Sequence, residues 1–178
     1  MKIEPIPIPG AFLVAIPRVE DERGWFARTW AMDEAIACGL DPELRETGLA
    51  LNRTCLTLRG LHFQLPPHAE NKLVMCLAGA VHDVIVDLRP GSPTARRWYA
   101  VRLDSDLPQA LYVPAGCAHG YLTLTDDALL QYHLSAGHSP ACARGIRWDD
   151  PALGIGWPAT PRVMNARDRE WPLLGDAT

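Results

Sequence analysis

Nothing in the 178 residues approaches the roughly 18 consecutive apolar positions of a membrane-spanning helix. The N-terminus, MKIEPIPIPGAF, is broken by prolines and has no apolar signal core, so no membrane association and a cytoplasmic location are expected. Runs of lysine or arginine are missing too. With a formal net charge of −4 and a pI of about 5.8, the chain offers nothing to follow a phosphate backbone, which argues against a nucleic-acid partner. Five cysteines (Cys38, Cys55, Cys76, Cys117 and Cys142) are odd in number, widely spaced and never form a C-x-x-C pair. That excludes a zinc knuckle or a disulfide framework and leaves buried free thiols as the expectation. Repeats and low-complexity tracts are absent as well.

What is there suits one core. With 48% hydrophobic residues, the length fits a single domain over residues 1–178. One helix stands out over Trp30 to Leu40, where Met32, Ile36 and Leu40 fall near helical spacing, with Gly39 and the following "DP" as stop signals. The segments NKLVMCLAG, AVHDVIVDL, RRWYAVRL, QALYVPAG, HGYLTL and ALLQYHL read as short strands, separated by LRPGSPT, DSDLP, PAGCA and TDD. Close strands with proline and glycine turns predict an all-β sandwich or jelly roll, and 16 prolines agree with few helices. Beyond Pro151 periodicity is lost, and irregular chain wrapped on the sheet is expected.

Three stretches could carry chemistry. In AVHDVIVDLR a period of two puts Val81, Asp83, Ile85 and Asp87 on one face; a solvated outer face and a polar interior explain two acids there equally well. In RGLHFQ, Arg59 and His62 are three residues apart and would face opposite ways unless Gly60 permits a bulge that shifts the register by one. We expect the bulge, which turns a cation and a titratable ring toward one cavity. The third stretch, PAGCAHG from Pro114 to Gly120, has the P-x-G-x-x-H pattern of the second cupin motif. Metal-binding cupins also need H-x-H and a glutamate in their first motif, because a divalent ion wants three or four converging ligands. Here that strand has only His62, followed by Phe63 and Gln64, so neither a metal nor another cofactor is expected.

The blocks DERGWFARTW, TLRGLHFQ with NKLVMCLAGAVHDVIVDLRPGSPT, and LYVPAGCAHGYLTL with IRWDDPALGIGWP, taken in this order and spacing, resemble the dTDP-4-dehydrorhamnose 3,5-epimerase family. These are metal-free sugar-nucleotide epimerases of the cupin superfamily, and the likeness runs from about Glu4 to Leu174. It implies a cupin jelly roll acting on a nucleotide-linked 4-keto-6-deoxyhexose: a proton leaves the carbon beside the ketone and one returns from the opposite face. That chemistry needs a base, an acid across the ring, and positive charge at the enolate oxygen. By the resemblance His62 is the base and Asp168, in NARDREWP, orients it. Tyr132 returns the proton on the other face, and Lys72 sits near the ketone oxygen. Arg59 acts there or at the phosphates, His119 lines the cavity and Asp83 supports it from behind. Arg23 matches a residue that reaches the diphosphate in a neighbouring subunit, which implies a homodimer formed by exchange of the N-terminal strand.

The departures from the family cluster where the nucleotide is held. Arg28 stands where many members have a glutamate, Ala143 where an acid is common, and His138 where a tyrosine stacks on the base. The stretch LALNRTCLTLRG lacks the usual contacts, with Asn52 a candidate. The resemblance therefore implies retained epimerisation with altered base recognition, leaving thymidine, guanosine, cytidine or uridine diphosphate open, as well as inversion of one carbon or two. Two rival readings are a cupin that binds a sugar nucleotide without catalysis and a metal-dependent cupin oxygenase.

Overall fold

The runs bounded by proline and glycine pair into two antiparallel sheets in the computed structural model, which describes residues 2–175. The chain first lays down β1 (Lys2–Pro5) and β2 (Phe12–Ala15), then a separate hairpin of β3 (Arg18–Asp21) and β4 (Gly24–Ala27), and then helix α1 (Met32–Ala37). There follow β5 (Glu46–Asn52), β6 (Leu58–Gln64), β7 (Lys72–Ala78), β8 (Ala80–Asp87), β9 (Trp98–Asp104) and β10 (Gln109–Val113). After them come β11 (Cys117–Thr123), β12 (Ala128–Leu134), β13 (Ala143–Gly145) and helix α2 (Ala166–Glu170). One sheet has the order β1-β2-β10-β7-β12-β5 and the other β13-β6-β11-β8-β9. From β5 to β8, and again from β9 to β12, each strand crosses to the opposite sheet, which gives the jelly roll expected from the sequence.

Strand alternation decides which side chains enter the sandwich. Val74 and Cys76 of β7, Val81 and Ile85 of β8, Leu111 and Val113 of β10 and Leu130 of β12 meet in one buried cluster between the sheets. The outer faces are covered as well: Leu73 and Met75 pack with Val14, Ile16, Ala35 and Leu40, and Val84 and Val86 with Ile146 and Leu153. The choice left open by AVHDVIVDLR is thereby resolved, because Asp83 and Asp87 face the interior and are fully buried. Asp87 accepts hydrogen bonds from Arg89 Nε (2.8 Å) and Thr94 Oγ1 (2.7 Å), which pins the LRPGSPT turn to the end of β8.

Three expectations need correction. The helix is shorter than Trp30 to Leu40 and rotated from the face that the spacing suggested: Met32 and Ile36 are 57% and 56% exposed, whereas Ala35 and Leu40 are buried. A stripe of Met32 and Ile36 would have needed a sheet beneath it, but the helix reaches the core only through the small Ala35. The segment beyond Pro151 is mostly irregular, yet it contains α2, five residues too short to show a helical period. None of the five cysteines is in a disulfide, but only Cys76 and Cys117 are buried; the others are partly exposed. Burial pushes the Cys76 thiol up to about 11 and the Cys117 thiol to about 12, so both are inert at neutral pH. Among the described residues no helix is long and apolar enough to cross a membrane.

Candidate active site

The two sheets leave a cavity of about 320 Å³ between them, and the inward faces of β6, β7, β11 and β12 supply Arg59, His62, Lys72, His119 and Tyr132 to its wall. Getting both Arg59 and His62 there requires the bulge. Against β11, His119 pairs with His62 and Tyr121 with Arg59, so two residue steps on β11 match three on β6. Gly60 makes this possible. Its φ is +120°, and a β-carbon there would stand 2.5 Å from the Cα of Gly120 and 2.8 Å from the His119 carbonyl oxygen. The bulge expected from the sequence is present.

The His62 ring, 42% exposed, aims Nε2 at Asp168 Oδ1, 2.6 Å away. Asp168 lies in the first turn of α2, where Asn165 caps the helix by accepting from the Asp168 amide at 2.6 Å. Its carboxylate also accepts from the Gly60 amide (3.1 Å) and from Trp171 Nε1 (3.3 Å). Burial works to raise the Asp168 pKa, but the hydrogen bond and charge of His62, together with those two donors, outweigh it and hold the carboxyl below its ordinary range. The pair is therefore an imidazole presented to the cavity and backed by a buried carboxylate.

A second pair lies deeper. His119 Nε2 meets Asp83 Oδ1 at 2.9 Å, both side chains buried, and the ring stands edge-on to Tyr132 at 6.0 Å. Burial, reinforced by Tyr121 and by the Asp83 charge, pushes the Tyr132 phenol well above its ordinary value. It is thus a protonated group on β12, in the sheet opposite His62. Arg59 Nε donates to Asn52 Oδ1 (2.8 Å), which also accepts from Tyr121 OH (3.2 Å). Lys72 Nζ lies 3.2 Å from Glu70 Oε1 and donates to the His62 carbonyl at 3.1 Å.

Most of the residues singled out from the sequence thus converge: His62, Tyr132, Lys72, Arg59, His119 and the exposed His138 line one cavity, with Asp168 and Asp83 directly behind it. Three do not. Asn52 is buried behind Arg59, its amide nitrogen donating to the Ala128 carbonyl (3.1 Å), so it positions a wall residue and lines nothing. Arg23 sits at the exposed tip of the β3–β4 hairpin, paired with Asp21 at 2.6 Å, and Arg28 lies 3.6 Å from Glu34 beside α1. Neither lines the cavity of its own chain. Sequence reasoning missed Gln64, Glu70, Tyr121, Arg144 and Arg167 in the wall. Tyr121 and Gln64 could have been found by counting two from His119 and from His62; the other three come from a connection, a three-residue strand and a short helix, where spacing carries no signal. Among the described residues no group of three or more His, Cys, Asp or Glu is placed to hold a metal ion.

Comparison with known proteins points to one family. The family model for dTDP-4-dehydrorhamnose 3,5-epimerase matches residues 5–176. The dTDP-4-dehydrorhamnose 3,5-epimerase of Streptomyces griseus is 42% identical over 98% of this chain and 87% of that protein. The dTDP-4-dehydrorhamnose 3-epimerase of Streptomyces niveus is 35% identical over 99% and 86%. The crystal structure of the dTDP-6-deoxy-D-glucose-3,5-epimerase of Legionella pneumophila in complex with dTDP-4-keto-L-rhamnose superposes with a TM-score of 0.94 at 30% identity, covering 99% of this chain and 94% of that one. Fold and site together define a carbohydrate epimerase, an isomerase built on a cupin jelly roll. The chain belongs to the dTDP-4-dehydrorhamnose 3,5-epimerase family.

Proposed function

We propose that the chain, acting as one domain over residues 1–178, inverts C3, C5 or both in a nucleotide-diphospho-4-keto-6-deoxyhexose, with the dTDP sugar as first candidate. One observation carries the reading: the His62–Asp168 pair on one sheet and the protonated Tyr132 on the other line the same cavity. His62 removes the proton beside the ketone, and Asp168 stabilises the imidazolium that forms. The electrons of the broken C–H bond move into the enolate, whose oxygen meets the Lys72 ammonium, with Arg59 at the ketone or the diphosphate. Tyr132 then delivers a proton to the opposite face of the carbon. His119, held by Asp83, packs edge-on to Tyr132 and keeps its ring in place. His138 lies at the exposed part of the wall, where it can stack on the nucleotide base.

The particular carbons and the nucleotide follow from the relatives only as candidates, since the Streptomyces griseus protein is named a 3,5-epimerase and the Streptomyces niveus protein a 3-epimerase. The experiment is incubation with dTDP-, UDP-, GDP- and CDP-linked 4-keto-6-deoxyhexoses in deuterated water. Deuterium entering the carbon beside the ketone marks an epimerase, and the labelled positions report which carbons are inverted. Binding of a sugar nucleotide with no deuterium uptake from any member of the set would overturn the reading in favour of a non-catalytic binding protein.

We further propose a cytoplasmic homodimer in which the hairpin of one subunit brings Arg23, and Arg28 beside it, to the other's cavity. Val19, Trp25 and Phe26 on that hairpin are 69%, 57% and 65% exposed, an apolar surface that a partner would cover. A forked guanidinium suits a diphosphate bound from across the interface.

A further inference from the structure

A buried carboxylate in the cavity wall has no part in the scheme above. Glu70, in the connection between β6 and β7, is the single acid among the residues that line the cavity, beside Arg59, Lys72, Arg144 and Arg167. Its side chain and that of Lys72 are 9% and 8% exposed, with Oε1 and Nζ 3.2 Å apart. Gln64 Nε2 donates to Glu70 Oε2 at 2.7 Å, and Gln64 is itself fixed by the Ser139 amide on its Oε1 (2.7 Å) and by its own donation to the His68 carbonyl (3.0 Å). The carboxylate is therefore locked on the ammonium. With one Nζ hydrogen directed to Glu70 and another to the His62 carbonyl, the third is left for the cavity.

We propose that Glu70 is a positioning residue that keeps the Lys72 ammonium charged and aimed at the sugar, and so sets the upper pH limit of the reaction. The proposal rests on the reading of Lys72 as the donor to the enolate oxygen. Taking an ammonium out of water favours its neutral form, and a neutral amine cannot neutralise an enolate. Burial does lower the Lys72 pKa, and Glu70, with a smaller contribution from Asp83 on β8, works against it. The other titratable or charged groups in the cavity wall are His62 and Arg59 on β6, His119 and Tyr121 on β11, Tyr132 on β12, His138 after it, Arg144 on β13 and Arg167 on α2, none of which supplies a negative charge. Glu70 thus trades a little of the field at the ketone oxygen for an ammonium that persists at the working pH.

The chain has two lysines, Lys2 and Lys72, so ¹³C placed at lysine Cε gives two signals, and the exposed Lys2 serves as an internal reference. In the wild type the Lys72 signal should titrate below the ordinary lysine range. In Glu70→Gln its midpoint should fall by about one further pH unit or more, whereas Glu70→Asp, which keeps the charge, should stay closer to the wild type. Deuterium exchange into the sugar should follow: its alkaline limb moves to lower pH, so that Glu70→Gln loses about tenfold in rate near pH 9 while remaining within about threefold near pH 6.5. An unmoved Lys72 midpoint in Glu70→Gln overturns the proposal. A midpoint that falls while the alkaline limb stays put leaves the ion pair standing but overturns its kinetic role, and with it the assignment of Lys72 to the enolate.

Discussion

His62 and Asp168 lie 106 residues apart and yet meet at 2.6 Å, the buried carboxylate on one side of the ring and the cavity on the other. Removing the proposed base or the proposed acid should fail differently. His62→Ala takes away the only proposed base and is expected to abolish deuterium exchange at every carbon, whereas Tyr132→Phe should still permit abstraction but slow the return of a proton from the far face. Product analysis beside the exchange rate separates the two. Asp168→Asn keeps the shape but not the charge, and should lower the exchange rate by about a hundredfold or more. Because Asp168 is held below the ordinary carboxylate range, its share of stability is complete above that range and is lost as pH falls through its lower folded-state value. Asp168→Asn should therefore cost about 1–3 kcal/mol at neutral pH, a gap that narrows below about pH 4 in denaturant titrations.

At the scale of elements, the bulge in β6 does what no single side chain can. Gly60 and Gly120 approach so closely that a β-carbon on Gly120 would lie 2.7 Å from the Arg59 carbonyl oxygen. Gly60→Ala would set a β-carbon 2.5 Å from the Gly120 Cα at a φ of +120° and should cost at least about 2 kcal/mol, read from the denaturation midpoint. Substrate binding should suffer as well, since Arg59 and His62 could then no longer share a face. The bulge was legible from a glycine standing between two candidate site residues of the wrong parity. The strands were legible because their alternation and their proline and glycine boundaries survive in a single sequence. Helix α1 was located but its buried face was misjudged: spacing names a stripe without saying whether anything lies beneath it. Helix α2 was missed because five residues span too little of a period, and its role depends on the Asp168 carboxylate meeting Gly60 and His62 from another part of the chain.

At the scale of the whole molecule, the exposed hairpin that carries Arg23, with Arg28 just beyond it, is the element on which the proposed dimer depends. Size-exclusion chromatography with light scattering should show a dimer, and Trp25→Glu a shift toward monomer. Mixing subunits bearing His62→Ala with subunits bearing Arg23→Ala is expected to restore activity, since each mixed dimer would hold one cavity with His62 intact and a partner's Arg23 in reach; mixtures no better than the weaker parent would refute the exchange. The sequence by itself determined the all-β class and the strands that hold the chemistry-bearing blocks, because alternation and local turn chemistry are properties of neighbouring residues; His62, Tyr132 and Lys72 are proposed as base, acid and cation on the family resemblance of those blocks. Only the tertiary structure decided that Asp83 and Asp87 face inward, that Asn52 stands behind the wall, and that Glu70 and Gln64 clamp Lys72. Those outcomes depend on which sheet covers which face and on which loops close an end of the sandwich, and burial of that kind is set by long-range packing that no short window of sequence contains.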